Sequence, residues 1–320
     1  MNNKSILTNF IIILGTTKSG SGAVFDYLIG RGDIRDPLKG QEYHLPQMPY
    51  GLMTLEAVAK NAFHPGNSDF VISQFEEIAK KLSRSQTSWR YGMDYSNRIP
   101  SFQKLIDQFI EEICSVKFPM RLHWRKLIQS DSILKYLIFK LKNRLGFIEK
   151  APITRVLVSQ DKLIDAAQKL HNRLFQIDSC EKPILLNQAG SGWNAVESTK
   201  YFLNRKVVLL TRDPRDQFAE LKIIKNARSV DDFIDWYKEM QRRIKEIDSP
   251  ILLQLRFEDF VNKYDKMVNL LCNHVSLDSN VLSNYNPNFS KKNIGKYQEF
   301  LNAKEIDKIE NSLSEYFYDK

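Results

Sequence analysis

The sequence has few cysteines and no long apolar run. Its three cysteines, Cys114, Cys180 and Cys272, are widely spaced and form no C-x-x-C pair. They predict neither a zinc site nor a disulfide framework, and they fit a reducing compartment. No stretch approaches the roughly 18 consecutive apolar residues of a membrane-spanning helix. Polar Thr8 and Asn9 interrupt the first apolar residues, so we expect no signal peptide and a cytoplasmic protein.

Internal repeats, low-complexity tracts and linkers are also missing, which favours one domain over residues 1–320. The 47 lysines and arginines outnumber the 38 acidic residues, giving a formal net charge of +9. A basic protein favours anionic partners: nucleotides, nucleic acid, acidic lipids or acidic polysaccharides. The sequence carries no recognisable nucleic-acid-binding motif, so we do not expect nucleic acid as the partner.

A glycine- and hydroxyl-rich segment follows a short apolar run near the start of the chain. The run, residues 11–14, is mostly β-branched and is typical of a central parallel strand. Apolar residues at helical spacing begin at Val24. Between them lies Gly15-Thr16-Thr17-Lys18-Ser19-Gly20-Ser21-Gly22. A glycine-rich turn that opens a helix presents free N–H groups to an anion, so this segment predicts a phosphate-binding loop.

The position of the lysine separates this loop from the Walker A motif, G-x-x-x-x-G-K-[ST]. Counting from Gly15, the second glycine is Gly20, but Ser21 stands where the lysine should be. Lys18 comes three residues earlier. That register suits a nucleotide whose 5′ end carries one phosphate with a transferable group beyond it. The alternative is an ordinary strand-to-helix turn with a surface lysine.

Further strands are predicted at residues 183–188, 206–212 and 251–257. The second of these ends in Arg212, which places a guanidinium at the carboxyl end of a parallel strand, where open α/β sheets bind ligands. A structural salt bridge with the neighbouring acids is the alternative. The fold class is therefore α/β, with a central parallel sheet and a helical insertion at about residues 50–180.

The insertion carries helical patterns and one strongly basic segment. Residues 102–113 form an amphipathic stripe. Residues 117–150 contain nine lysines and arginines against two acids, with aromatic residues between them. Such a segment could form a lid or groove for an acidic acceptor, or contact the inner face of an anionic membrane. A solvated helix face is the third possibility.

Four separated elements together resemble the sulfotransferases that use 3′-phosphoadenosine-5′-phosphosulfate (PAPS). Residues 15–22 resemble the family's 5′-phosphosulfate loop, P-K-S/G-G-T/S-T. Residues 212–216 look like its 3′-phosphate element R-[DN]-P-[RK]-D, and residues 256–260 like R-[YF]-E-D-[LF]. Residues 290–297 are similar to its closing loop, which ends G-x-W. The resemblance does not extend over roughly residues 50–180. It implies a P-loop-like three-layer fold and sulfuryl transfer to a hydroxyl, with a carbohydrate-modifying enzyme as the nearer branch.

The resemblance also implies a role for each matching residue. Lys18 would contact the 5′-phosphate and the bridging oxygen, and Arg212 would bind the 3′-phosphate with help from Lys291 or Lys292. The other loop residues implied in donor binding are Thr17, Ser19, Gly20, Ser21 and Gly22. Because the leaving group carries one phosphate, no metal is expected.

The general base is assigned by a weaker match. The carbohydrate-modifying branch has a Glu in a K-E-x-H-like segment after the first helix, and Gln41-Glu42-Tyr43-His44 looks like that segment. This implies Glu42 as the base and His44 as the second choice. In an extended chain both side chains point to one side. A capping or salt-bridged role for Glu42 is the alternative.

Two positions depart from the family pattern. Glu220 stands eight residues after Arg212, where the family often has a serine, and an acid there would repel a 3′-phosphate unless it turns away. Ala189 stands where the cytosolic small-molecule branch has its catalytic histidine. These departures keep a non-catalytic nucleotide-binding protein open as an alternative. A P-loop kinase is a further alternative that the register of Lys18 disfavours.

Overall fold

The structure is a computed structural model that describes residues 9–61, 64–87, 91–120, 152–176, 182–227 and 229–318, with residues 137, 138, 140, 141 and 144. The chain divides into two compact units. The sheet unit consists of Met1–Gln47 and His171–Lys320, and the inserted unit is Met48–Leu170. The inserted unit overlaps the insertion that we predict at residues 50–180.

The strands within the described residues are β1 (Phe10–Gly15), β2 (Cys114–Pro119), β3 (Ile153–Leu157), β4 (Ile184–Asn187), β5 (Arg205–Thr211) and β6 (Leu252–Arg256). The sheet unit contains a parallel sheet in the order β4-β1-β5-β6. Helices flank this sheet, so the predicted α/β class with a central parallel sheet is confirmed. The strands predicted at 11–14, 183–188, 206–212 and 251–257 coincide with its four members.

The helices whose bounds the structure describes are α1 (Ser21–Ile29), α2 (Leu52–Lys60), α3 (Pro65–Ser83), α4 (Tyr95–Arg98), α5 (Phe102–Glu112), α6 (Gln160–Phe175), α7 (Ala195–Ser198), α8 (Pro214–Ile223), α9 (Val230–Lys245), α10 (Phe257–Asn262), α11 (Tyr264–Val275), α12 (Pro287–Lys291), α13 (Tyr297–Phe300) and α14 (Ala303–Leu313). Of these described helices, none has both the length and the apolar character needed to cross a lipid bilayer.

The centre of the sheet explains the apolar runs of the sequence. Strand β1 pairs with β4 on one side and with β5 on the other, and Ile11–Leu14 are all buried. A strand covered on both faces needs apolar side chains at successive positions rather than at alternate ones. Phe25 and Leu28 of α1 pack into the same core as Ile13. This core fixes the start of α1 directly beyond the end of β1.

The parallel order brings four connections to one edge of the sheet. The segments after β1, β4, β5 and β6 all leave from the carboxyl ends of their strands. Residues 35–44 run beside β4 and form isolated parallel bridges, Arg35 with Ile184 and Glu42 with Asn187. These bridges place the segment around Glu42 beside the carboxyl end of β4.

The inserted unit contains helices and a two-stranded antiparallel sheet. The predicted amphipathic stripe forms α5, with Phe102, Leu105 and Phe109 buried. Strands β2 and β3 pair with Val116 opposite Val156. The sequence analysis missed these strands. Residues 114–118 alternate between apolar and polar side chains, but β2 is largely exposed and lies in an insertion whose patterns predict helices. Most of the basic segment 117–150, and Cys180, lie outside the described residues.

Candidate functional site

A cleft of about 870 Å³ lies at the carboxyl edge of the parallel sheet. Its lining comes from the sheet unit and includes residues of the segments after β1, β4, β5 and β6. Lys18, Glu42, Arg212, Glu220 and Asn293 are all among the lining residues. The structure therefore gathers into one cleft the elements that the sequence analysis singled out separately.

The loop between β1 and α1 turns through left-handed backbone. Thr17, Lys18 and Gly20 have φ values of 41°, 61° and 85°. At Gly20 a side chain is also sterically excluded, because a Cβ there would collide with the Phe257 ring. The Ser19 hydroxyl accepts a hydrogen bond from Thr16 N at 2.9 Å. Ser19 is buried and is thus placed to hold the loop's shape, whereas Thr17, Lys18, Gly20, Ser21 and Gly22 line the cleft.

Three consecutive carbonyl groups of this loop accept hydrogen bonds from the β5–α8 segment. The buried Gln217 amide donates to Thr16 O and, at 2.7 Å, to Thr17 O. Arg212 Nη1 donates to Lys18 O at 3.2 Å. Because protein donors already occupy these acceptors, the loop has N–H groups and the Lys18 ammonium to offer a ligand. That arrangement favours an anion.

Gln188, the residue after β4, holds both ends of the same loop. Its Oε1 accepts from Gly15 N at 3.2 Å, and its Nε2 donates to Ser21 Oγ at 3.1 Å. The Gln47 side chain donates to Gln188 O at 2.7 Å. The sequence analysis assigned no role to Gln188 or Gln217. The amides at the end of the predicted strand 183–188 were the available signal for Gln188, and Gln217 has none in the sequence.

Arg212 connects the loop between β1 and α1 (the first loop, residues 15–22) to the loop of residues 290–297 (the C-terminal loop). Its side chain is 4% exposed, and its Nη2 donates to Asn293 O at 2.5 Å. The guanidinium carbon lies 5.1 Å from the centroid of the Phe257 ring. Among the described residues, Nε is buried without a hydrogen-bond partner. This Nε–H is therefore available to donate to a ligand.

The C-terminal loop is fixed by Asp216 of α8. The two carboxylate oxygens accept from Gly295 N at 2.8 Å and from Tyr297 N at 3.0 Å. Ser290 and Asn293 of this loop line the cleft. Lys291 and Lys292 are exposed and are not among the described residues that line it. Their assistance to Arg212 stays a prediction.

Glu220, the acid at an unexpected position, lines the cleft and forms an ion pair. Its Oε1 lies 2.9 Å from Lys296 Nζ. Burial would raise the pKa of Glu220, but the bond to Lys296 and the charges of Lys296, Arg212 and Lys18 together lower it. The carboxylate is thus ionised and has a cationic partner, which the sequence analysis did not predict.

Glu42 and His44 lie beside the cleft as a pair. Tyr43 between them is buried, and its N–H donates to Asn187 O at 2.8 Å. Glu42 Oε2 lies 3.3 Å from His44 Nε2, and Glu42 lines the cleft. The bond to His44 lowers the pKa of Glu42 more than burial raises it. An ionised carboxylate at the cleft suits a general base, and the ion pair equally suits the structural alternative, so both roles stay predictions.

The cleft suits a nucleotide with anionic groups at two positions. Lys18 and the start of α1 lie at one, and Arg212 with its unpartnered Nε lies at the other. Among the described residues no side chain caps the start of α1, which leaves N–H groups there for a ligand. Within the described part of the chain, no group of three or more His, Cys, Asp or Glu side chains could hold a metal ion.

No family model and no curated protein matches this sequence. The solved structures similar to it include the sulfotransferase domain of the Synechococcus PCC 7002 olefin synthase, with 12% identity and a TM-score of 0.46 over 100% of this chain and 98% of that one. The sulfotransferase domain from the curacin biosynthetic pathway has 13% identity and a TM-score of 0.41 over 98% and 99%. Sulfotransferase STF1 from Mycobacterium tuberculosis H37Rv has 12% identity and a TM-score of 0.36 over 97% of this chain and 77% of that one. Similarity this low assigns no activity, so the function has to be inferred from the cleft.

Proposed function

We propose that the protein is a sulfotransferase that transfers the sulfuryl group of PAPS to a hydroxyl of an acceptor, with a carbohydrate as the acceptor class. The observation that carries the proposal is the placement of Arg212. It links the Lys18 carbonyl of the first loop to the Asn293 carbonyl of the C-terminal loop, and its Nε has no partner among the described residues. PAPS carries anionic groups at its 5′ and 3′ positions, and the cleft offers a cationic site for each.

The first loop would hold the 5′-phosphosulfate. Helix α1 begins at Ser21 with free N–H groups and the positive end of its dipole directed at the loop. Lys18 adds a cation, and Thr17 adds a hydroxyl at the cleft. These donors also stabilise the charge that develops on the leaving phosphate. Preorganised donors of this kind contribute on the order of 10²–10³ in rate.

The chemical step needs one base. The sulfur–oxygen bond to the leaving phosphate breaks while a new one forms to the acceptor oxygen, whose proton must be removed. In our proposal Glu42 takes that proton, and His44 is the alternative base. Glu42 is ionised, because its bond to His44 lowers its pKa. His44 would also keep the carboxylate oriented through their 3.3 Å contact.

The acceptor and the cellular setting are proposals of the same kind. We propose that the inserted unit contributes to acceptor binding and that the protein is cytoplasmic. Contact of residues 117–150 with an anionic membrane stays open, and nucleic acid is not a proposed partner.

Ligand stabilisation tests the donor site without knowledge of the acceptor. 3′-Phosphoadenosine 5′-phosphate (PAP) should raise the unfolding temperature of the protein more than ATP with Mg²⁺ does. Lys18→Ala and Arg212→Ala should reduce that stabilisation, and Lys308→Met, at an exposed ion pair of α14, should not. Greater stabilisation by ATP with Mg²⁺ would instead support a P-loop kinase.

Turnover is tested with radiolabelled PAPS and a set of glycans. Wild-type protein should transfer label, and Lys18→Ala and Glu42→Gln should lower the rate by at least roughly 10²-fold. PAP binding without transfer to any hydroxyl acceptor would support a non-catalytic nucleotide-binding protein, which Ala189 at the catalytic-histidine position favours. Full activity of both variants would contradict the assigned site.

A further inference from the structure

Three side chains spaced four residues apart hold the C-terminal loop against α8. Arg212 donates to Asn293 O, Asp216 accepts from Gly295 N and Tyr297 N, and Glu220 pairs with Lys296. Asp216 and Glu220 are four residues apart and lie on the same face of α8, and Arg212 precedes the helix. Together the three side chains hold the loop at successive points.

Lys296 is the lysine of this loop whose backbone is fixed most closely. The amides before and after it both donate to Asp216, which is 2% exposed. Its ammonium then reaches Glu220 at 2.9 Å. A cation on an anchored backbone loses little conformational freedom when it binds a ligand. None of the three lysines is among the described residues that line the cleft, but Lys296 is half-buried and paired with Glu220, which does line it, whereas Lys291 and Lys292 are exposed.

Glu220 shares its surroundings with the cations of the donor site. It lines the cleft together with Lys18 and Arg212, and the charges of both act on its carboxylate. A phosphate bound at Arg212 would therefore meet a carboxylate of like charge. Lys296 already neutralises Glu220, so a bound phosphate would compete with that carboxylate for the lysine.

We propose that Lys296 is the loop lysine that binds the 3′-phosphate of the donor, and that it gives up its ion pair with Glu220 when it does so. The Lys296–Glu220 pair then determines how strongly the protein prefers a 3′-phosphorylated nucleotide over its 3′-hydroxyl counterpart. This inference rests on the proposed PAPS-binding function, and it deepens it by naming the residues that discriminate at the 3′ position.

Two nucleotides that differ only in the 3′-phosphate, PAP and AMP, provide the test. Their dissociation constants are measured by calorimetry for wild-type protein, Glu220→Gln, Lys296→Met, Lys291→Met, Lys292→Met and Lys308→Met. Glu220→Gln should tighten PAP binding on the order of tenfold by removing one like charge a few ångströms from the phosphate, and Lys296→Met should weaken it on a similar scale. The dissociation constant for AMP should stay within about twofold of the wild-type value in every variant, because AMP lacks the phosphate that the pair would contact. Lys308→Met removes a lysine from an exposed ion pair and should behave as wild type.

The outcomes separate this inference from the proposed function. A wild-type preference for PAP that neither Glu220→Gln nor Lys296→Met changes would overturn this inference alone. Equal binding of PAP and AMP by wild type and both variants would overturn the proposed donor as well. Loss of the preference in Lys291→Met or Lys292→Met, with Lys296→Met unchanged, would transfer the role to the exposed lysines. A circular dichroism spectrum and unfolding temperature for each variant separate a binding effect from misfolding.

Discussion

The Gln217 side-chain amide donates a hydrogen bond to the carbonyl oxygen of Thr17 across 2.7 Å. The same amide also bonds Thr16 O, and Gln217 is fully buried. Helix α8, which follows the segment proposed to bind the 3′-phosphate, thus holds the conformation of the loop between β1 and α1. The left-handed backbone at Thr17 and Lys18 needs such support, because strained conformations persist only where surrounding contacts hold them.

Replacing Gln217 by methionine should therefore loosen the loop. Methionine has a similar length but no N–H donor, so two loop carbonyls lose their partner. We expect the free energy of unfolding to fall by about 1–3 kcal/mol, with weaker PAP binding. Urea unfolding and calorimetry measure the two effects. Gln86→Met, at an exposed glutamine, is the matched control. Unchanged stability and binding in Gln217→Met would show that the loop keeps its shape without these bonds.

Replacing Gly20 and replacing Gly22 by alanine should change the stability of the protein in opposite directions. At Gly20 the φ of 85° and the contact of a Cβ with Phe257 both oppose a side chain, so Gly20→Ala should destabilise by about 2–4 kcal/mol. At Gly22 a Cβ meets no atom within 4 Å, and alanine favours the helix by up to about 1 kcal/mol. Thermal unfolding of both variants measures the contrast. A Gly20→Ala protein as stable as Gly22→Ala would contradict the loop geometry.

Glu258 should make stability fall as the pH rises. Its carboxyl is fully buried, Oε1 accepts from Asp213 N at 2.9 Å, and burial raises its pKa from the ordinary 4.5. A raised pKa means that the folded protein binds the proton more tightly than the unfolded chain does. The contribution of Glu258 is thus greatest below pH 4.5 and declines as the pH rises through the folded pKa.

Glu258→Gln isolates that effect, because glutamine keeps the shape and an acceptor but does not titrate. Urea unfolding between about pH 4.5 and pH 8 should show wild type losing stability relative to the variant as the pH rises. Above the folded pKa the difference should become constant. A difference that is the same at every pH would mean that Glu258 has an ordinary pKa.

The acid limb of the rate profile should identify the base. The bond to His44 lowers the pKa of Glu42, so a reaction that needs ionised Glu42 stays active down to below the ordinary value of 4.5. In His44→Gln that support is lost, and the acid limb of kcat/KM should move to higher pH while activity at neutral pH largely remains. Complete loss of activity in His44→Gln, with Glu42→Gln active, would assign the base to His44.

Much of the fold could be predicted because its strands are local features. A strand buried on both faces needs a continuous apolar run, and β1, β4 and β5 each show one in the sequence. The β2–β3 hairpin escaped prediction because β2 is mostly exposed and its partner is more than thirty residues away in the chain. Residues 114–118 alternate between apolar and polar side chains, but that local pattern does not identify the partner strand.

At the site, local residue patterns predict the loop chemistry: glycines and hydroxyls around Lys18 between a strand and a helix, and Arg212 at a strand end. The side chains that complete the site are identified by the folded structure alone. Gln217 meets Thr17 across 200 positions, and Lys296 meets Glu220 across 76. Such contacts arise where separate segments converge at one edge of the sheet, and local residue patterns do not record that convergence. Glu220, whose position in the sequence predicts repulsion of a 3′-phosphate, is thus paired with Lys296 in the folded protein.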